Sequence, residues 1–184
     1  MYDNKLKKDQ IAVEKNDTCD HLLGKILPKI SLPNQNGNSL KLNRSDTFRL
    51  AIYCYSLTGH PQKKLPDNWA QIPGAQGCTL ENYIFKNNYE KLIEMNCLPI
   101  GISTQSVDDI KEMTDRLGVK HDVLSDSKLD LVNDLKLPTF SIGNKIFIKR
   151  LTIIVEKNII RNVFFPIFSI DKHINEVLEW LKKN

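Results

Sequence analysis

The sequence contains no run of apolar residues long enough to cross a membrane, and its first twenty residues are polar and charged. A membrane-spanning helix needs about 20 mostly apolar residues. A secretory signal needs an apolar core, which the segment MYDNKLKKDQIAVEKNDTCD does not contain. These absences predict a cytoplasmic protein with no membrane partner, and they mark residues 1–20 as a polar arm.

Clustered positive charge and internal repeats are also missing. The formal net charge is only +4 over 184 residues, and the basic residues are spread along the chain. Nucleic-acid-binding surfaces usually show clustered Lys and Arg, so we expect no nucleic-acid partner. Because no low-complexity tract or second-domain boundary interrupts the chain, we predict one domain over residues 21–184.

The four cysteines form no C-x-x-C pair, and none lies near a histidine at a metal-ligand spacing. They are Cys19, Cys54, Cys78 and Cys97. A thiol–disulfide oxidoreductase would place C-x-x-C at a helix start, and a zinc site needs clustered ligands. We therefore expect free thiols in a reducing compartment and no metal site, and nothing in the sequence implies a flavin or nucleotide cofactor.

The chain does contain an alternation of strand and helix patterns. A β-hairpin is predicted around the NQNGN turn in residues 24–42, and buried strands are predicted at 48–56, 97–103, 122–126, 146–156 and 159–165. Helical patterns cover 79–95, 106–118, 127–137 and 171–183. This order predicts an α/β protein with a thioredoxin-like fold: a central mixed sheet flanked by helices, with an N-terminal β-hairpin.

Cys78 lies where the long loop 57–77 meets the start of a predicted helix. Backbone N–H groups at a helix start lack partners and favour an anion. A thiol in such a place loses its proton more easily than an isolated one, and a thiolate can attack a peroxide to give sulfenic acid. Local physics alone leaves this interpretation and that of a small buried residue equally open.

The ordered motifs around and after Cys78 resemble those of the peroxiredoxins, the alkyl hydroperoxide reductase and thiol-specific antioxidant superfamily. GCT is followed by IFK, and the loop TGHP…LPDNWAQIPGAQGCT is similar to that of one bacterial peroxiredoxin-like subgroup. GISTQS, VLSD, LPTF and KRLT then follow in the subgroup's order. The resemblance covers roughly residues 20–182.

This resemblance implies a thiol-dependent peroxidase that reduces hydrogen peroxide or small organic hydroperoxides through a Cys78 sulfenic acid. Thioredoxin, glutaredoxin or a small thiol would be the reductant, and a homodimer is a further implication. Arg150 matches the family's arginine against the reactive sulfur, where a permanently charged guanidinium would stabilise a thiolate. Position alone would favour a surface arginine in an ion pair.

The substrate pocket implied by the resemblance contains Pro73, Gly77 and Thr79. The family's proline stands seven residues before the cysteine, where this chain has Gln71, and Pro73 is the nearest candidate. The family's Thr or Ser three residues before the cysteine is Ala75 here, so a hydroxyl is missing. Thr58, Thr79 or a water would have to replace it.

Tyr83 stands where one peroxiredoxin branch has a resolving cysteine, so we predict one-Cys chemistry. Cys54 is the alternative resolving residue, against the interpretation that it is a core thiol. Two other functions stay open: a non-catalytic redox sensor or interaction protein on the same fold, and a thiol–disulfide oxidoreductase.

Overall fold

A five-stranded mixed sheet forms the centre of the molecule. A computed structural model describes residues 18–44 and 48–184. The strands of this sheet are β3 (Arg49–Cys54), β4 (Cys97–Ser103), β5 (Val123–Ser125), β8 (Leu151–Glu156) and β9 (Ile159–Phe164). They lie in the order β5–β4–β3–β8–β9. The first three strands are mutually parallel, while β8 is antiparallel to both β3 and β9.

Two hairpins stand beside the central sheet. The predicted N-terminal one pairs β1 (Ser31–Pro33) with β2 (Ser39–Lys41). The second pairs β6 (Thr139–Ile142) with β7 (Lys145–Ile148), and the sequence did not predict it. The single strand predicted over 146–156 is therefore wrong. The backbone N–H of Lys149 donates to the Pro138 carbonyl and extends this pairing by one residue, which leaves Arg150 between β7 and β8.

The described residues form five α-helices, and one predicted helix is divided. They are α1 (Cys78–Asn87), α2 (Tyr89–Glu94), α3 (Val107–Leu117), α4 (Asp130–Leu135) and α5 (Ile170–Lys183). The helix predicted over 79–95 breaks at Asn88, whose side-chain amide donates to the Ile84 carbonyl at 2.9 Å. Such side-chain bonds to the backbone compete with helix continuation.

Side chains alternate along β3 and so feed two separate apolar cores. Leu50, Ile52 and Cys54 face the core that α4 and the N-terminal hairpin cover. Ala51 and Tyr53 face the core that α1, α2, α3 and α5 cover. Helices on both faces of a mixed sheet confirm the predicted fold class.

The polar arm predicted over residues 1–20 falls mostly outside the described residues. Its described end includes Cys19, which is 4% exposed and packs into the same core as Cys54. The expectation that Cys19 belongs to a polar arm is therefore wrong. Within residues 18–44 and 48–184, no helix combines the length and apolar character that crossing a bilayer requires.

Gly101 should be intolerant of any side chain, because it lies beside the buried ring of Tyr53. A Cβ atom at Gly101 would lie 2.8 Å from that ring and 3.1 Å from the Val123 side chain. The ring also stacks on Phe85 of α1, with 4.0 Å between centroids, so it has no room to retreat. Gly101→Ala should lower the free energy of unfolding by about 1–3 kcal/mol, measured in urea.

Gly59→Ala is the matched control, because a Cβ atom there meets nothing within 4 Å. Equal stability of these two variants would contradict this account of the sheet.

Candidate active site

The sheet topology brings Cys78 and Arg150 together from 72 positions apart in the sequence. β3 ends at Cys54, and the loop leaving this edge leads to Cys78, the first residue of α1. β8 runs antiparallel to β3 and pairs Leu151 with Cys54. Arg150, immediately before β8, therefore lies at the same edge as the start of α1.

Arg150 contacts the sulfur, the loop and the helix at once. Its Nη2 donates to the Cys78 sulfur at 3.2 Å and to the Gln76 carbonyl at 2.9 Å. Its Nη1 donates to the Gly74 carbonyl at 3.0 Å, and its Nε donates to Glu81 at 2.8 Å. The guanidinium thus fixes the end of the loop and the first turn of α1 around the sulfur.

The Cys78 sulfur is enclosed, with only 2% of the residue exposed. Besides Arg150, the Ser56 hydroxyl lies 3.3 Å from the sulfur. The Ala75 carbonyl lies at 3.5 Å and accepts from the thiol. Two groups can therefore donate to a thiolate, while one carbonyl is suited to the protonated thiol.

Glu81 places a second acidic group on Arg150. Its side chain is 1% exposed, and Oε1 has no hydrogen-bond partner among the described residues. Burial raises the pKa of Glu81 to about 7, although the charge of Arg150 opposes that shift. Burial also disfavours the charge of Arg150, but Glu81 and Cys78 outweigh it and raise the Arg150 pKa. One cation is thus shared between Glu81 and Cys78.

A second group of hydrogen-bonded polar side chains, Asn82, Tyr53 and His121, supports the start of α1. The Asn82 amide donates to the Cys78 carbonyl at 2.9 Å and accepts from the Tyr53 hydroxyl at 3.0 Å. That hydroxyl lies 2.7 Å from Nε2 of His121. Burial lowers the pKa of His121 to about 4, so this group is neutral near pH 7.

Tyr55 adds a buried neutral hydroxyl near the sulfur. Its oxygen has no hydrogen-bond partner within the described part of the chain. Burial, followed by the charges of Cys78 and Glu81, raises the pKa of Tyr55 far above its ordinary value. The nearby Asn82 amide offsets this only in part, and it does not reach hydrogen-bond geometry.

The predicted pocket residues are distributed unevenly around the sulfur. Gly77 precedes α1 with φ 93°, and a Cβ atom there would lie 2.2 Å from Cδ1 of Ile170, so the turn requires glycine. Thr79 is half-buried in the first turn of α1, whereas Pro73 is exposed in the loop. Pro73 and Thr79 as pocket residues stay predictions.

Thr58 and Thr79 are predicted to replace the missing hydroxyl, but the structure places the hydroxyl of Ser56 beside the Cys78 sulfur. The hydroxyl and the N–H of Thr58 both bond the Gln105 side chain. Ala75 is fully buried and packs with Trp69 and Phe147. Ser56, at 3.3 Å from the sulfur, was missed because nothing in the sequence links it to Cys78 across 22 positions.

The other cysteines lie away from the sulfur of Cys78. Cys54 faces the opposite core of the sheet, and burial raises its pKa well above the ordinary value. Cys97 begins β4 and pairs with Arg49, at the far end of the sheet. Among the described residues, no group of three or more His, Cys, Asp or Glu side chains is placed to hold a metal ion.

A model of the AhpC/TSA family matches residues 70–163, which include both Cys78 and Arg150. The chain belongs to the AhpC/TSA family. This membership confirms the predicted place in the peroxiredoxin superfamily and, with it, a peroxiredoxin-type thiol peroxidase.

Glu81, three positions after Cys78, was also missed by the sequence analysis, although a carboxylate in the first helical turn is a signal that sequence can provide.

Curated relatives agree with this assignment, and a solved structure shares the fold. Peroxiredoxin Q of Arabidopsis thaliana is 26% identical over 86% of the chain, and the chain spans 66% of that protein. Peroxiredoxin Bcp of Escherichia coli K12 is 24% identical over 88% of the chain and 96% of its own length. The crystal structure of peroxidoxin BcpB from Mycobacterium tuberculosis has a TM-score of 0.72 at 21% identity, covering 88% of this chain and 96% of that one. That likeness confirms the thioredoxin-like fold.

Glu81→Gln should change how stability depends on pH. Because burial raises the pKa of Glu81 from 4.5 to about 7, its ionisation is harder in the folded chain than in the unfolded chain. The stability that protonated Glu81 contributes is therefore fully present below pH 4.5 and is lost as the pH rises towards about 7. The wild type loses this contribution over the interval and Glu81→Gln does not. The unfolding free energy of Glu81→Gln minus that of the wild type should therefore rise by up to about 3 kcal/mol across it.

Urea unfolding at several pH values measures this difference. Glu179→Gln is the control, because Glu179 lies exposed on α5 and its loss should leave the pH dependence as in the wild type. Parallel stability curves for Glu81→Gln and the wild type would show that Glu81 ionises normally.

Proposed function

We propose that Cys78 is the peroxidatic residue of a thiol peroxidase that reduces hydrogen peroxide or a small organic hydroperoxide. The observation that carries this proposal is the position of its sulfur: at the first residue of α1 and 3.2 Å from the Arg150 guanidinium. Both the helix start and the guanidinium favour an anion over a neutral thiol. The thiolate is the nucleophilic form of cysteine.

The reaction transfers two electrons from sulfur to the peroxide. The thiolate attacks one peroxide oxygen, the S–O bond forms and the O–O bond breaks, giving the sulfenic acid. The departing hydroxide or alkoxide takes a proton and leaves as water or alcohol. Arg150 and the N–H groups at the start of α1 stabilise the charge while it moves from sulfur to oxygen.

Turnover then uses an external thiol. One reductant thiol attacks the sulfenic sulfur, releasing water and forming a mixed disulfide, and a second thiol displaces Cys78 as the reduced thiol. Thioredoxin, glutaredoxin or a small thiol would supply these groups. One-Cys chemistry is supported because Cys54 faces the opposite core, and Tyr83 occupies an exposed position on α1.

A redox sensor without turnover is the second candidate. It is favoured by the 2% exposure of Cys78, which restricts access of a reductant, and by Ala75 in place of a hydroxyl residue. This protein would form the same sulfenic acid but would not be reduced again at a useful rate. Steady-state peroxide consumption with a thiol reductant separates it from the peroxidase.

Mass spectrometry after one equivalent of peroxide should find sulfenic acid at Cys78 alone. Cys78→Ser should abolish peroxide consumption, because no other thiol lies beside Arg150. Cys54→Ser should consume peroxide as the wild type does. A disulfide between Cys78 and Cys54 would refute the one-Cys mechanism, and oxidation no faster than that of a small-molecule thiol would refute the peroxidase itself.

Arg150→Met should slow the oxidation of Cys78 by at least about tenfold, because a charged donor to the sulfur is lost. Stopped-flow kinetics with hydrogen peroxide measures the second-order rate constant. Arg161→Met is the matched control, since Arg161 on β9 forms a half-exposed ion pair with Glu156, the last residue of β8, whereas Arg150 precedes the first residue of β8.

Arg150→Met also leaves the buried Glu81 without its cation, which can unfold the protein. The double variant Arg150→Met/Glu81→Gln removes both charges and should fold while reacting slowly. A rate equal to that of the wild type in either folded variant would remove Arg150 from the mechanism.

A further inference from the structure

The Ser56 hydroxyl is a direct neighbour of the reacting atom. It lies 3.3 Å from the Cys78 sulfur, within hydrogen-bond distance for sulfur, and Ser56 is 2% exposed. No other partner of this hydroxyl occurs within residues 18–44 and 48–184. A buried hydroxyl without another partner directs its hydrogen bond to the sulfur.

The backbone of Ser56 is held in place by the sheet edge. The Tyr55 N–H donates to the Ile102 carbonyl at 3.0 Å, which extends the pairing of β3 with β4 by one residue. The Ser56 carbonyl then accepts from the Ser103 hydroxyl at 3.1 Å. These bonds fix the Cα position, so the hydroxyl approaches the sulfur without reorganisation of the loop 57–77.

The protonation state of Cys78 decides which atom donates. A neutral thiol has one hydrogen, and the Ala75 carbonyl accepts it at 3.5 Å. A thiolate has only lone pairs, so Ser56 must then be the donor, together with Arg150. The hydroxyl thus interacts more favourably with the anion than with the thiol.

We infer that Ser56 is a second catalytic residue, whose hydroxyl donates to the Cys78 thiolate and supplies from the end of β3 the hydroxyl that Ala75 lacks. This inference rests on the peroxidase function proposed above. When the thiolate attacks and the S–O bond forms, negative charge leaves the sulfur for the departing oxygen. The hydroxyl hydrogen rotates about the Cβ–Oγ bond, so it can follow the charge from sulfur to an oxygen bound there.

The other titratable groups around the sulfur are the same residues in every variant. Arg150 stays charged, and Tyr55 stays neutral because burial raises its pKa. On α5, burial lowers the pKa of His173, which also faces Arg150. Glu81 on α1 titrates near pH 7. A comparison between variants that differ only at position 56 therefore isolates the hydroxyl.

The test is the rate of Cys78 oxidation by hydrogen peroxide across pH, in the wild type, Ser56→Ala and Ser56→Thr. In Ser56→Ala a hydrogen bond to a charged group is lost, so the pH at which the rate constant rises should move upward by about one to two pH units. At the acid end the rate constant of this variant should be about 10- to 100-fold lower than that of the wild type. The deficit should shrink at the alkaline end, where the thiol ionises without help. Ser56→Thr keeps a hydroxyl and should restore most of the profile.

Ser125→Ala is the matched control, because it removes another buried hydroxyl at the same sheet edge, one that bonds the Gln105 carbonyl. Its profile should match the wild type. A Ser56→Ala profile that is unchanged would overturn the role of Ser56 while leaving the peroxidase intact. A wild type that reacts no faster than a small-molecule thiol would instead overturn the peroxidase itself.

Discussion

The buried guanidinium of Arg150 is the interaction on which the rest of the site depends. Taking a charge out of water is costly unless it is paired and fully hydrogen-bonded. Here four of its five N–H groups are hydrogen-bonded, to Glu81, Gly74, Gln76 and Cys78. The same contacts join the strand edge, the loop and the helix start. The hydrogen bonds that stabilise the buried cation therefore also position the sulfur.

The position of Arg150 is a consequence of topology. β8 is antiparallel to β3, so its first residues meet the end of β3 at the edge where α1 begins. The pairing of β6 with β7 ends with the bond from the Lys149 N–H to the Pro138 carbonyl, so Arg150 belongs to neither β7 nor β8. A continuous strand over 146–156 would have made Arg150 one member of a regular ladder, with its orientation set by strand alternation alone.

Local patterns predicted the parts of this structure that local physics controls. The strand at 97–103 and the capped helix after Ser106 follow from apolar periodicity and capping residues. Cys78 was identifiable from its place before a helix, and Arg150 only through a family pattern. Ser56, Glu81 and Tyr55 became visible with the fold, because their roles depend on contacts between distant segments. The break at Asn88 and the burial of Cys19 escaped prediction for a related reason: a side-chain bond and tertiary packing override the local pattern.

The electrostatics of the site reduce to two acids and one cation. Tyr55 is held neutral by burial, and His121 is held neutral in the supporting group of side chains. Burial raises the pKa of Glu81 to about 7, so the charge of Glu81 beside Arg150 varies near neutral pH. When Glu81 is ionised, the guanidinium divides its field between a carboxylate at 2.8 Å and a sulfur at 3.2 Å. When Glu81 is protonated, its carboxyl group no longer competes with the sulfur for the field of Arg150. A neutral donor such as Ser56 then matters because it stabilises the thiolate without adding to that competition.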